Sequence, residues 1–258
     1  MIKFFKRIRK KLLGENRTAK YFTYAVGEIV LVVIGILIAL QINNWNQKNM
    51  NLEKEKYLVK EMLQEFKKDS VELQNFIRLT KLKVSYGKMV KDYLKGKKTS
   101  LDSVFPHLFF NGKVLIFKSF SPTYDEIVSS GQLNLIRNDS LKSLIKILKE
   151  RESGLQTFMF NDISEIKKNY NFHLYKYFDH EIMTELWKWV RYRDSVSAFD
   201  FTKGLKKDFT GFIKDPNSYY HVSATIGADA ELHRSYSYTI LLPLEKILNL
   251  LREEINND

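Results

Sequence analysis

The side chains best suited to acid–base or metal chemistry are five histidines: His107, His173, His180, His221 and His233. His173 and His180, with Asp179 and Glu181 beside the second, have the residue types of a metal site. A spacing of seven puts the two imidazoles about 10 Å apart on one helix. That is too far to share an ion without ligands from elsewhere, so the histidines are expected at the surface or at an interface, and no metal is expected. The stretch GKKTS at 96–100 has the lysine and hydroxyls of a phosphate cradle but not the leading glycine or the GK[ST] order. HExxH and GxGxxG are absent, and no serine sits in a nucleophile-elbow context. The chain has no cysteine, which excludes a thiol nucleophile, a disulfide and a cysteine-built zinc site. No catalytic residue and no cofactor is assigned, and the protein is read as non-enzymatic. The aromatic strings NFHLYKYFD (171–179) and ELWKWVRYR (185–193) allow two readings, a ligand pocket or a core.

The elements that hold these residues are expected to be helices. After Trp45 there is no glycine or proline until Gly87. Val59, Leu63, Phe66, Leu73, Ile77 and Val84 follow a 4-3 spacing, with Ser70 and Thr80 in the gaps, which predicts an amphipathic helix to about Lys95. A loop follows at 95–100, a short helix over Leu101–Phe110, a turn at Asn111-Gly112, and an extended connection through KVLIFKSF. Ser121 is expected to cap a helix that opens with Pro122 and closes at Gly131. Asn138 or Asp139 caps the next. Further helices are expected at about 155–190 and 198–214, a turn at DPNS (215–218), and a last helix over about Ala228–Asn256. Its apolar face is Leu241, Leu244, Ile247, Leu248 and Leu251.

The most apolar part of the chain precedes all of this. From Tyr21 to Ile42 only Glu28 and Gln41 are strongly polar. About 20 helical residues cross a hydrocarbon core, whereas a buried strand is usually about 5–6 residues long. A cleaved signal peptide needs small residues before the cut, and Ala39 has Leu37 two positions earlier. The reading is an uncleaved transmembrane helix. Its N-terminal flank carries +7 over residues 1–20, leaving +5 of the chain's +12 for the other 238. That clustering is a topology signal, with the N-terminus inside, and speaks against a nucleic-acid partner. Three domains follow: a basic cytoplasmic or in-plane segment (1–20), a transmembrane helix (21–44) and a helical extracytoplasmic domain (45–258). Tyr21 and Tyr24 would lie at the inner membrane interface and Trp45 at the outer one. Within residues 1–12, Phe5, Ile8 and Leu12 fall at helical spacing. Lys3, Lys6, Arg7, Arg9, Lys10 and Lys11 around them suit an anionic leaflet; a basic tail without structure is the alternative.

MIKFFKRIRKKLL followed by YAVGEIVLVVIGILIALQINNWN resembles the start of a family of uncharacterised membrane-anchored proteins of Gram-negative bacteria, described only as a domain of unknown function. SPTYDEIVSSGQLNLIRND (121–139) is similar to that family's second recurrent block. The resemblance implies one span and a helical extracytoplasmic domain. It brings no activity and no catalytic residues.

Within the span, Glu28, Val32, Gly35, Ala39 and Ile42 share one helix face. Gly35 and Ala39 form a small-xxx-small pair that lets two backbones approach, and an intramembrane carboxylate usually faces protein or water. This face is read as the interface of a homo-oligomer; a monomeric anchor with Glu28 solvated near the headgroups is the alternative. The expected fold is therefore all-α, with one N-terminal transmembrane helix, a long membrane-proximal helix and an extracytoplasmic bundle in the bacterial inner membrane. The expected function is a scaffold or accessory subunit that acts through self-association or an envelope protein partner. A ligand-sensing module that signals through a partner, and an oligomeric pore with a Glu28 ring, are the alternatives.

Overall fold

A computed structural model describes residues 18–97, 101–178 and 205–256. Among these, all regular structure is helical. The chain divides into two compact units, Met1–Tyr57 and Leu58–Asp258. One helix, α1 (Thr18–Leu94), runs through both, with no proline to interrupt it.

In the first unit, the apolar stretch of α1 is uncovered. Every described apolar side chain from Val26 to Ile42 is exposed, and Gly35 has open space beside it. Among the described residues this is the one helix long and apolar enough to cross a membrane.

In the second unit, α1 turns amphipathic. Val59, Leu63, Phe66, Ser70, Leu73 and Thr80 are buried, with Ile77 and Val84 half-buried, as the heptad spacing predicts. The buried stripe is broader than the prediction, since it also takes in Leu58, Met62, Asp69, Phe76 and Lys83. The elements α2 (Leu101–Asn111), α3 (Pro122–Ser129) and a 3-10 turn (Gln132–Leu135) follow. The segment 113–121 between α2 and α3 is extended and pairs with no strand.

Two long helical rods complete the unit. The first is α4 (Asp139–Phe158), a π turn (Met159–Ile163) and α5 (Ser164–Leu174). Asn138 caps it by accepting the Leu141 amide at 2.9 Å. The break expected near residue 155 is absent: a wide π turn absorbs the irregularity, and the Ser164 hydroxyl donates to the Met159 carbonyl at 3.2 Å. After α6 (Leu205–Lys214), the second rod is α7 (Pro216–Ser235), a π turn (Tyr236–Leu241) and α8 (Leu242–Asn256). The DPNS turn is instead a helix start. Asp215 accepts the Asn217 amide at 2.8 Å, and Pro216 takes the first helical position, where its missing N–H costs nothing. The last rod therefore begins at Pro216 and not at Ala228. Pro243 lies just past the π turn, whose wider backbone relieves the clash a proline makes one turn back.

The core has two parts. One packs Phe66, Leu73, Phe76, Ile145, Tyr236 and Ile247 with their neighbours. The other is aromatic and joins Phe105, Phe109, Tyr170, Phe178, Phe209 and Phe212, with several ring pairs edge-on.

Candidate functional site

The most distinctive polar construction surrounds the extended segment 113–121, which is clamped at both ends. At its start, three buried charges meet. Lys83 comes from α1, Lys167 from α5 and Asp229 from α7, and none is more than 1% exposed. The Asp229 carboxylate is 3.3 Å from the Lys83 ammonium and 2.7 Å from that of Lys167. Two cations against one anion leave a surplus that burial makes costly. The surplus is met by backbone oxygen. Lys167 donates to the Asn111 carbonyl at 2.8 Å and the Thr225 carbonyl at 3.3 Å, and Lys83 donates to the Lys113 carbonyl. Asn111 ends α2, so Lys167 satisfies a carbonyl that a helix terminus leaves open, at the negative end of its dipole.

Desolvation still dominates. Burial lowers the Lys167 ammonium from 10.5 to about 7, although Asp229 pulls it up. Burial lowers Lys83 as well, again opposed by Asp229. Beside them the Asn111 side chain is buried, and its amide makes no hydrogen bond among the described residues. Gly112 follows, and the Asn171 amide donates to its carbonyl at 3.0 Å. A side chain at 112 would run into the end of the Asn171 side chain, which would have to move aside.

At the other end, α1 again supplies the partners. Asp69 accepts the Phe120 amide at 2.9 Å and the Ser121 hydroxyl at 3.0 Å. Glu65 accepts the Thr123 amide at 3.1 Å and the Thr123 hydroxyl at 2.6 Å. Lys149 from α4 donates to Ser119 and Ser121, each at 2.9 Å, and pairs with Glu152 at 3.3 Å. This corrects the expected role of Ser121. Its hydroxyl makes no cap on its own helix; it points to Asp69, and Glu65 caps α3 from a distance.

Between the clamps, residues 114–118 have no backbone hydrogen bond among the described residues. Leu115 and Phe117 turn inward toward the core, while Val114, Ile116 and Lys118 alternate with them. These three, with Gln156, Met159 and Ser164, line an apolar cavity of about 200 Å³. The first π turn forms part of its wall. The Met159 sulfur accepts from the Tyr236 hydroxyl at 3.1 Å, so the two π turns meet there. Burial pushes the Tyr236 hydroxyl up to about 12.

The described histidines are not assembled into a catalytic group. His173 is buried rather than at the surface, because its ring is packed between aromatic neighbours Phe212 and Tyr177 and hydrogen-bonded within the core. Its Nε2 lies 2.8 Å from the Ser218 hydroxyl and 3.9 Å from the Asp215 carboxylate. Serine and carboxylate thus approach the same ring nitrogen, whereas a nucleophilic triad needs them on opposite nitrogens. Ser218 is fully buried besides. His107 stacks on Tyr86 with centroids 3.9 Å apart. Burial lowers the proton affinity of His107, His173 and His221. His180, Asp179, Glu181 and the string 185–193 lie outside the described residues. His173, Leu174 and Phe178 of the 171–179 string are core, as is Tyr170 just before it. Among the described residues no cluster of three His, Asp or Glu side chains is placed to hold a metal ion.

The face Glu28, Val32, Gly35, Ala39 and Ile42 lies on α1 in the first unit, with Val32 and Ile42 57% and 61% exposed. Trp45 is exposed. Tyr21 and Tyr24 fall within α1, but their side chains lie outside the described set, as do Lys3, Lys6, Arg7, Arg9, Lys10 and Lys11. Sequence reasoning passed over Lys83, Lys167 and Asp229. A signal was present for one of them, since Lys83 falls seven residues after Phe76 on the apolar stripe.

Taken together, these features define an all-helical protein with one candidate span and no assembled catalytic group among the described residues. It belongs to the Family of unknown function (DUF6090), whose profile matches residues 28–175, from inside the candidate span to the end of α5. No curated protein and no solved structure matches the chain.

Proposed function

We propose that the protein is a single-span, non-enzymatic scaffold or accessory subunit of the cytoplasmic membrane of a Gram-negative bacterium. Its N-terminus lies in the cytoplasm, and its helical domain lies in the periplasm. The observation that carries this is the contrast along α1: an apolar face uncovered all round up to Ile42, then an amphipathic stripe that builds a core. An apolar surface of that length costs too much in water to be left open, and a bilayer covers it. The basic residues before the span set the orientation.

A reporter active only in the periplasm, fused after Asp258, is expected to work; activity only from a cytoplasmic reporter at that position overturns the topology. Self-association through the Gly35–Ala39 face is the proposed mode of assembly. Gly35→Leu is then expected to shift the detergent-solubilised protein toward monomer by light scattering, with Gly35→Ala doing so less and Ile36→Leu not at all. A wild type that is already monomeric overturns that part.

A further inference from the structure

The middle of the clamped segment anchors Leu115 and Phe117 in the core but leaves its backbone unpaired among the described residues. Residues 114–118 are extended, yet no strand or side chain among the described residues takes up their amides and carbonyls. The clamps hold this conformation in advance, so little ordering is left for a partner to cause. Unpaired donors and acceptors in alternation are what an incoming extended chain recognises, and a small molecule does not match them. Two of the exposed side chains are apolar, Ile116 at 71% and Phe120 at 74%, and the third is Lys118. The adjoining cavity is lined by Val114, Ile116, Lys118 and Met159, with Gln156 and Ser164. Lys118 has no ion pair among the described residues, and no carboxylate occurs from 113 to 121.

From these features we infer that residues 114–118 are a docking site for an extended peptide segment of another protein. The segment adds as a strand to the unpaired backbone, places one apolar side chain in the cavity of Val114, Ile116 and Met159, and sets a neighbouring carboxylate on Lys118. Backbone pairing supplies affinity, the cavity selects an aliphatic side chain, and Lys118 selects an acidic neighbour. The site stands whether or not the chain is membrane-anchored, so the topology and mass measurements above test a separate statement.

The test uses the full-length protein in detergent. The probe is a fluorescein-labelled peptide of alternating valine and threonine around a central leucine–glutamate pair, followed by fluorescence anisotropy. Saturable binding is expected. Lys118→Glu should weaken it about tenfold or more and should favour a peptide whose glutamate is replaced by lysine. N-methylation of alternate peptide amides should abolish it. Ile116 is exposed, so Ile116→Asp should remove binding without altering the helical circular dichroism. Three results overturn the inference: no saturable binding of the parent peptide, equal binding of the N-methylated peptide, or a fall in the chain's own molar mass on Ile116→Asp. The last would mean that a second copy covers the segment.

Discussion

The two halves of α1 share a helix and little else. From Val26 to Ile42 its apolar residues occupy every face and all are exposed; beyond Leu58 apolar residues keep mostly to one stripe, and that stripe is buried. Apolar content alone therefore does not say what a helix packs against. Its angular distribution does, because a helix apolar all round needs an apolar surrounding, whereas a striped helix needs only a partner on one side. The polar residues differ in the same way. In the first half they are sparse, while in the second Glu65, Asp69 and Lys83 lie on or beside the buried stripe and hold one segment.

The contrast is most sharply tested by truncation. Phe66→Ala in the buried half should cost about 3–5 kcal/mol of domain stability. Leu37→Ala in the exposed half should leave the domain's urea midpoint unchanged. A comparable loss from both would mean that the exposed half is covered after all.

The buried charges sharpen it next. Asp229→Asn removes the one carboxylate between two buried lysines and should also cost about 3–5 kcal/mol, because each cation left behind lacks its compensation. A loss under about 1 kcal/mol would mean that the backbone carbonyls alone suffice.

The response to pH comes third. Lys167 holds its proton less tightly in the folded protein, about 7 against 10.5 when unfolded. Between those values the unfolded chain binds more protons, so stability should rise with pH, by up to about 1.4 kcal/mol per unit. Stability falls as the pH drops toward 7, and below that both states carry the proton and Lys167 adds no further loss. Lys83 acts in the same direction. Burial raises Tyr170 and Tyr236, so above about pH 10 the unfolded tyrosines ionise first and reverse the trend. Lys167→Met should flatten the slope below pH 10; an unchanged slope removes Lys167 as its cause.

The smallest effect expected is at the far clamp. Glu65→Ala uncaps α3 and should cost about 1 kcal/mol, with Glu65→Gln costing less because an amide oxygen still accepts. Equal losses for the two would mean that the charge, and not the hydrogen bond, is what α3 uses.

Much of this architecture was readable from the chain. The extent of α1, its end near Lys95, the extended run after Gly112, Pro122 at a helix start and a cap at Asn138 or Asp139 each follow from local chemistry that tertiary contacts did not override. The misses share a cause. Ser121 caps in isolation, but Asp69, 52 residues away, offers a stronger acceptor for its hydroxyl. The π turns at 159 and 236 carry helices through places where periodicity slips, and a slip in period is read as a break. Pro216 opens a helix or a turn with equal ease, and the chain that follows decides. The Lys83–Asp229–Lys167 group was out of reach because its members lie on three helices, and charge on one stripe does not name a partner on another.

The spacing of the two clamps along the chain also bears on the order in which they can form. Glu65 and Asp69 find their partners 51 to 58 residues later, whereas Lys83 must wait for Asp229. As the chain emerges during synthesis, the far clamp can close while Asp229 has yet to be made. Refolding should therefore show early protection of the Thr123 amide from hydrogen exchange. Protection of amides around Asn111 should come late, with the arrival of α7, because closing the longer loop costs more entropy. Substitutions at Glu65 should then slow folding, and substitutions at Asp229 should chiefly hasten unfolding.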